Sequence, residues 1–302
     1  MTTVELLPLA CFYAINSIIG LSGNTIMTLC FLKNPKLRYP CHILITNLCV
    51  CDILNLAGEF FFGLGVFLSK VQKTQEDCFY LQTLPVSGAA AASPLILTIG
   101  IDRLLAVYYP IWYRNIILSK SRYVLIMLLF PITYTSFILA SAFENRQKDD
   151  PTLILCSLPS GMGFATFQLF TYGGFVIYFL VFLVYMTVFL LLKTQSASKR
   201  FHKVFQSIAV TVLLVLIGWF TTTTIDIVNS IVDTDVEIHD MVTVYAGIPV
   251  HFSLSCTVFV FYFTNPDYQK TIKKMFGKDE EDNNGSKMKA TSEKVRLSSL
   301  DC

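Results

Sequence analysis

Apolar residues along this chain come in long unbroken blocks, not at the alternating spacing of a half-buried strand or surface helix. Five blocks, 6–32, 79–101, 123–143, 163–192 and 204–225, contain no Asp, Glu, Lys or Arg. Two more, 41–68 and 241–263, carry only Asp52, Glu59, His42 and His251 as ionisable side chains other than Cys and Tyr. A bilayer core of about 30 Å is crossed by about 20 apolar residues in a helix, so each block is long enough to span. In lipid the backbone must satisfy its own hydrogen bonds, which favours helices for runs of this length. The pattern predicts an all-α membrane protein, a bundle of seven helices over about 9–32, 41–68, 78–105, 121–143, 163–192, 204–232 and 241–263. The first block has no basic segment before it and is too long for a signal peptide, so it reads as the first span.

Composition supports this reading and charge orients it. The chain is 54% hydrophobic and 15% charged, where a soluble protein carries about 25% charged residues. Of its 23 Lys and Arg, only Lys70, Lys73, Arg146 and Lys148 fall in the loops on the N-terminal side, and 19 fall on the other. Cytoplasmic loops are enriched in basic residues, so the expected orientation is N-terminus outside and C-terminus inside. The last outer loop fits, with Asp233, Asp235, Glu237 and Asp240 and no base. Of the nine cysteines, only Cys78 and Cys156 then face the oxidising side. A disulfide between them would pin the second outer loop over the mouth of the bundle. Cys49 and Cys51 have the wrong spacing for a metal motif and read as small buried thiols.

After the last block, Asn265-Pro266 marks a break. Over 267–276, Tyr268, Ile272, Met275 and Phe276 recur at helical spacing opposite Lys270, Lys273 and Lys274. That pattern predicts a basic amphipathic helix on the inner membrane surface, in contact with lipid. Residues 277–302 are polar and poor in aromatics, which predicts a disordered cytoplasmic tail. The domain reading is one membrane-embedded unit, 1–276, followed by that tail.

The chemistry sits in polar groups within or at the ends of spans. Asp102 and Arg103 end a 23-residue uncharged run, with Cys78 lying 25 positions ahead of Arg103. Such a pair either anchors the helix end or serves a function, since charge in lipid is costly. Asn24, Asp52 and Ser93 lie inside spans and predict a polar core. For Asp52 a coupled polar core that takes a cation and plain interhelical hydrogen bonding both remain open. Glu59 stands seven residues, two helical turns, outward of Asp52 and so shares its face. Asp226 stands seven residues outward of Trp219, and His251 lies about two turns in from the outer end of the last span. Glu59, Asp226 and His251 all lie toward the outer ends of their spans.

Gly23-Asn24, Asn47 with Asp52, Cys78, Asp102-Arg103-Leu104 and Pro110, in this order, resemble rhodopsin-like G-protein-coupled receptors. Cys41-His42-Ile43-Leu44-Ile45, Gly100-Ile101-Asp102-Arg103-Leu104 and Tyr109-Pro110-Ile111-Trp112-Tyr113-Arg114 are most similar to nematode serpentine chemoreceptors of class SX. The resemblance runs from about Ile18 to Phe276. It implies that Asp102, Arg103, Leu104, Pro110 and Tyr185 serve coupling to a heterotrimeric G protein, and that Trp219 marks the floor of the ligand pocket, which makes Glu59, Asp226 and His251 the expected ligand-binding residues. It implies an external small molecule or short peptide as ligand, a plasma-membrane location, no enzymatic activity, no cofactor or metal, and no nucleic-acid partner. A multi-span transporter is the alternative class, though the chain shows no inverted repeats.

Departures from the family pattern shape the expectations too. Amine receptors of this family place an Asp 18 residues before the Arg, where this chain has Pro85, and light receptors need a Lys in the last span, where it has none, which argues against both classes. The Asn-Pro-x-x-Tyr of span seven is missing, with Cys256 to Val258 where Asn-Pro should fall. Span six ends inside in Arg200, Phe201 and His202, where a carboxylate often locks the Arg. Arg103 would then keep only Asp102 as its resting partner, which predicts signalling without ligand.

Overall fold

The structure, a computed structural model, describes residues 3–116, 119–146, 150–194, 199–232 and 236–277. The chain forms, in order, α1 (Thr3–Lys33), α2 (Pro40–Phe67), β1 (Gln72–Thr74), α3 (Gln75–Tyr108) and α4 (Pro110–Ile116). There follow α5 (Lys120–Glu144), β2 (Leu153–Leu155), α6 (Leu158–Met162), α7 (Phe164–Thr194) and α8 (Lys199–Ile231). The described chain closes with α9 (Val236–Ala246), α10 (Ile248–Thr264) and α11 (Pro266–Met275). Seven helical segments among the described residues are long and apolar enough to cross a membrane, with α9 and α10 together making the seventh. Side chains at 199–203, those of Glu237 and Asp240, residues Asp233 and Asp235, and the tail from 278 lie outside the described residues.

The bundle is organised around α3. Of its most apolar stretch 78% is buried, against 17% for α5, so α3 runs through the centre and α5 stands at the rim. The sequence explains this through small residues, which let helices approach closely in lipid. Residues 88–93 read Gly-Ala-Ala-Ala-Ala-Ser, and a Cβ at Gly88 would lie 2.9 Å from the backbone nitrogen of Asn55 on α2. Further along, a Cβ at Gly100 would lie 2.7 Å from the ring of Tyr185 on α7. Large apolar side chains on the outer faces, such as Ile126, Leu84 and Leu213, remain exposed, as a lipid-facing surface requires.

The seventh span is broken, where the sequence reads as one unbroken run over 241–263. Pro249 has no N–H to donate to the carbonyl four residues earlier, so the helical bonding lapses at Gly247, whose backbone stays in the right-handed helical region (φ −68°, ψ −18°). The helix therefore stops at Ala246 and restarts at Ile248. Neighbouring spans take up carbonyls near the break. Thr222 Oγ1 donates to Ala246 O at 2.6 Å, and Tyr13 donates to Val244 O at 2.6 Å.

The loops at one end fold over the bundle. β1 and β2 pair antiparallel, with Gln72 opposite Leu155 and Thr74 opposite Leu153. Directly after β2, Cys156 is bonded to Cys78 on α3, with Cα atoms 5.4 Å apart. This fixes α6 across the mouth, where Met162 is fully buried. At the other end α11 is capped by Asn265, whose side chain accepts from Asp267 N at 3.0 Å. Its apolar face does not simply rest on lipid, as the amphipathic pattern suggests. Tyr268 and Ile272 are buried against the bundle, Tyr268 OH lies 3.2 Å from His42 Nδ1, and only Phe276 projects freely.

Candidate functional site

Two sites stand at opposite ends of the bundle. Beneath the bridged loop lies a slot of about 60 Å³, with Glu59, Ala89, Trp219, Asp226, Val250 and His251 among its walls. Ser157, Leu158 and Pro159 from the segment after Cys156 line it as well, so the disulfide sets the position of its cover. A wider vestibule of about 480 Å³ adjoins it. Asp226, Phe167, Thr171 and Thr243 line both, so the two spaces share a wall to which Asp226 belongs.

Glu59, Asp226 and His251, from three different spans, thus meet around one cavity. Glu59 and His251 pair directly, Nε2 to Oε1 at 3.1 Å, and both are more than nine-tenths buried. The edge of the Tyr13 ring meets the His251 ring, with centroids 5.3 Å apart. Trp219 lines the same space and is held by Phe170 and Tyr178, with centroid separations of 5.5 and 5.1 Å. Pro85, in the place of an amine receptor's Asp, packs against Gly58 instead.

The site at the other end is closed. Asp102 and Arg103 are fully buried at the foot of α3. Arg103 Nε donates to Asp102 Oδ2 at 2.9 Å, and Nη2 also contacts that oxygen. Two tyrosines complete the cluster. Tyr113 on α4 accepts from Arg103 Nη2 at 3.0 Å and donates to Asp102 Oδ1 at 2.9 Å, while Tyr123 on α5 donates to the same oxygen at 2.8 Å. The expectation that Asp102 alone holds Arg103 is therefore corrected. The tyrosines make the resting arrangement tighter, and the case for signalling without ligand loses its premise. Leu104 is partly buried against the main core, and Pro110 is exposed as the first residue of α4, where its fixed φ suits a helix start. Tyr185 stacks on Phe205 with centroids 6.1 Å apart and so ties α7 to α8 near this end.

Between the two sites the expected polar core is not one network. Asn24 donates to Gly20 O and Leu254 O at 3.0 and 3.4 Å, which is interhelical bonding. Asp52 lines a separate pocket of about 20 Å³ beside Tyr185 and Thr211. Asp52 Oδ1 and Ser93 Oγ have no hydrogen-bond partner among the described residues. Trp219 belongs with the slot.

Sequence reasoning missed the two tyrosines, Tyr13, Thr222 and Asn55. Tyr113 was in view within Tyr109-Pro110-Ile111-Trp112-Tyr113-Arg114, but nothing in spacing shows that a short helix returns its hydroxyl to Asp102. Asn55 had a legible signal, one turn inward of Glu59 on the same face.

A cavity under a bridged loop, joined through seven spans to a buried Asp–Arg pair at the far end, is the build of a multi-pass membrane receptor. The chain matches the family described as serpentine type 7TM GPCR chemoreceptor Srsx over residues 17–276, and it belongs to that family. No curated protein matches it.

Proposed function

We propose that this chemoreceptor, at the plasma membrane with its N-terminus outside, binds a small molecule or short peptide in the slot and vestibule and activates a heterotrimeric G protein at the Arg103 end. One observation carries the reading: Arg103 is buried on Asp102 and Tyr113, with Tyr123 bonded to Asp102, at the end away from the cavity. A guanidinium so enclosed meets a partner protein only after the cluster opens. A ligand in the cavity drives that opening only by binding the open state better than the closed one. Leu104, Pro110 and Tyr185 lie around the same end and serve the coupling surface or its support.

Arg103→Ala tests this. Asp102 keeps two tyrosine donors in the variant, so surface amount and binding of an agonist recovered from a cue screen should hold. G-protein dissociation on adding that agonist should vanish. Equal signalling per surface receptor would sink the reading.

A further inference from the structure

The cavity walls carry an uneven set of charges and hydrogen-bonding atoms. Neither the slot nor the vestibule is lined by any Lys or Arg among the described residues, while Glu59 and Asp226 supply two carboxylates. Glu59 already has His251 at 3.1 Å. Asp226 has no such partner: its Oδ1 is buried and accepts no hydrogen bond from the described residues. Asn55 Oδ1, on a side chain only 4% exposed, lines the same slot and is likewise without a donor. Buried acceptors left unfilled are costly, and a buried carboxylate either takes up a proton or meets a cation. Both atoms ask for N–H or O–H groups, and one of them asks for positive charge.

The geometry points to a small organic cation, a protonated amine on a compact apolar body, as the ligand class, with Asp226 as its counter-ion. This rests on the receptor reading above and adds the chemistry of the ligand. The ammonium stands beside Asp226, which lines both slot and vestibule. Asn55 Oδ1 accepts a further ligand N–H. The apolar body lies against Trp219 and Phe170, whose ring faces also favour a nearby cation. A slot of about 60 Å³ is well under the roughly 150 Å³ that encloses benzene, so it admits a short alkyl group, with any ring or larger part left in the vestibule. The cation-binding acid is thus on the sixth span, with Pro85 closing the usual position on the third.

The test is binding to the full-length receptor in lipid nanodiscs, read as a shift in its thermal midpoint by tryptophan fluorescence. The probes are primary amines, phenethylamine and heptylamine among them, each beside its alcohol and its carboxylate counterpart. At least one amine should raise the midpoint at concentrations where its alcohol and acid do not. Asp226→Asn should weaken that amine about tenfold or more, the loss of a charge-assisted bond, and Asp226→Glu should recover part of it. Should Asp226→Asn fail to fold, the wild-type ranking of amine over alcohol and acid decides by itself. No shift with any amine, a preference for the acids, or an amine shift unchanged in Asp226→Asn overturns the proposal. Because the readout is binding, amine recognition without G-protein activation would sink the function proposed above and leave this inference standing.

Discussion

At the Arg103 end, Asp102, Arg103, Tyr113 and Tyr123 exchange hydrogen bonds of 2.8–3.0 Å in a cluster closed to solvent. At the disulfide end, Asn55 Oδ1, His251 Nδ1 and Asp226 Oδ1 are buried without partners among the described residues, around open space. The same kinds of side chain are therefore used in opposite ways. One end is bonded closely within itself and so holds a defined resting state, while the other leaves acceptors open and so can be completed from outside. In a membrane interior, where an unpaired polar group has no water to turn to, this contrast is large in energy. A receptor gains from this division: the ligand completes one end, and the far end opens if that occupied cavity fits the open state better.

The largest effect should come from removing what holds the open end in shape. Cys78→Ser frees β2, α6 and Ser157 to Pro159 from α3 together. Loss of a native disulfide typically costs 2–5 kcal/mol, about half or more of a marginal stability. Surface receptor and thermal midpoint should both fall steeply, with cavity binding lost. A variant that retains binding at wild-type affinity would show that the loop is held by the two short strands and not by the bridge.

Next in size is the closed end. Tyr113→Phe removes two bonds, one to Arg103 and one to Asp102, and Tyr123→Phe removes one. Each bond to a charged group is worth about 1.5–3 kcal/mol, so ligand-free signalling should rise about tenfold or more in Tyr113→Phe and less in Tyr123→Phe. Wild type should be nearly silent by comparison. Basal second-messenger output per surface receptor measures both. An unchanged baseline in the double variant would mean that the cluster does not hold the resting state.

How far the sequence carries depends on which force sets each feature. The seven spans follow from run length alone, because the bilayer imposes a fixed thickness. Glu59 and Asp226 could be aligned with Asp52 and Trp219 because seven-residue steps along a helix preserve a face, and His251 could be placed by its depth from the outer end of its span. The bridge between Cys78 and Cys156 followed from topology and redox side. What was hidden depends on chain returning from far away: β2 pairing with β1, α6 covering the slot, Tyr113 reaching Asp102. The break in the seventh span lay between these cases. Gly247-Ile248-Pro249 is a legible interruption, but hydropathy averages over it, and the hydroxyls of Thr222 and Tyr13 explain why the break is tolerated.

The Thr222 hydroxyl gives a smaller prediction at the open end. Thr222→Val keeps the shape and removes the donor to Ala246 O, in a wall of the slot. Interhelical hydrogen bonds in membrane proteins average about 0.6 kcal/mol, so the midpoint should drop by only a degree or two. Cavity binding should weaken more than stability, since Gly247 and Val250 beside the break also line the slot. A stability loss as large as that of Cys78→Ser would make the break, not the bridge, the weak point of this end.

The smallest effect is expected on the outer rim of the same loop. Asp150 Oδ1 accepts from Thr152 N at 2.9 Å and from Thr152 Oγ1 at 2.6 Å, three residues before the start of β2. Those two bonds, the side-chain one foremost, hold its carboxyl below the usual carboxylate range. A lowered folded-state pKa contributes stability that is present above the unfolded value of about 3.9 and is lost as pH falls through the folded one. Asp150→Asn should therefore sit marginally below wild type from pH 7 to about pH 5, with the gap closing on further acidification. The carboxylate is fully exposed, so solvent screens most of its worth. Midpoints of both proteins across that pH range decide the matter. A gap that widened as pH fell would reverse the sign of the linkage and mean that protonated Asp150, not the carboxylate, is the form that steadies the loop.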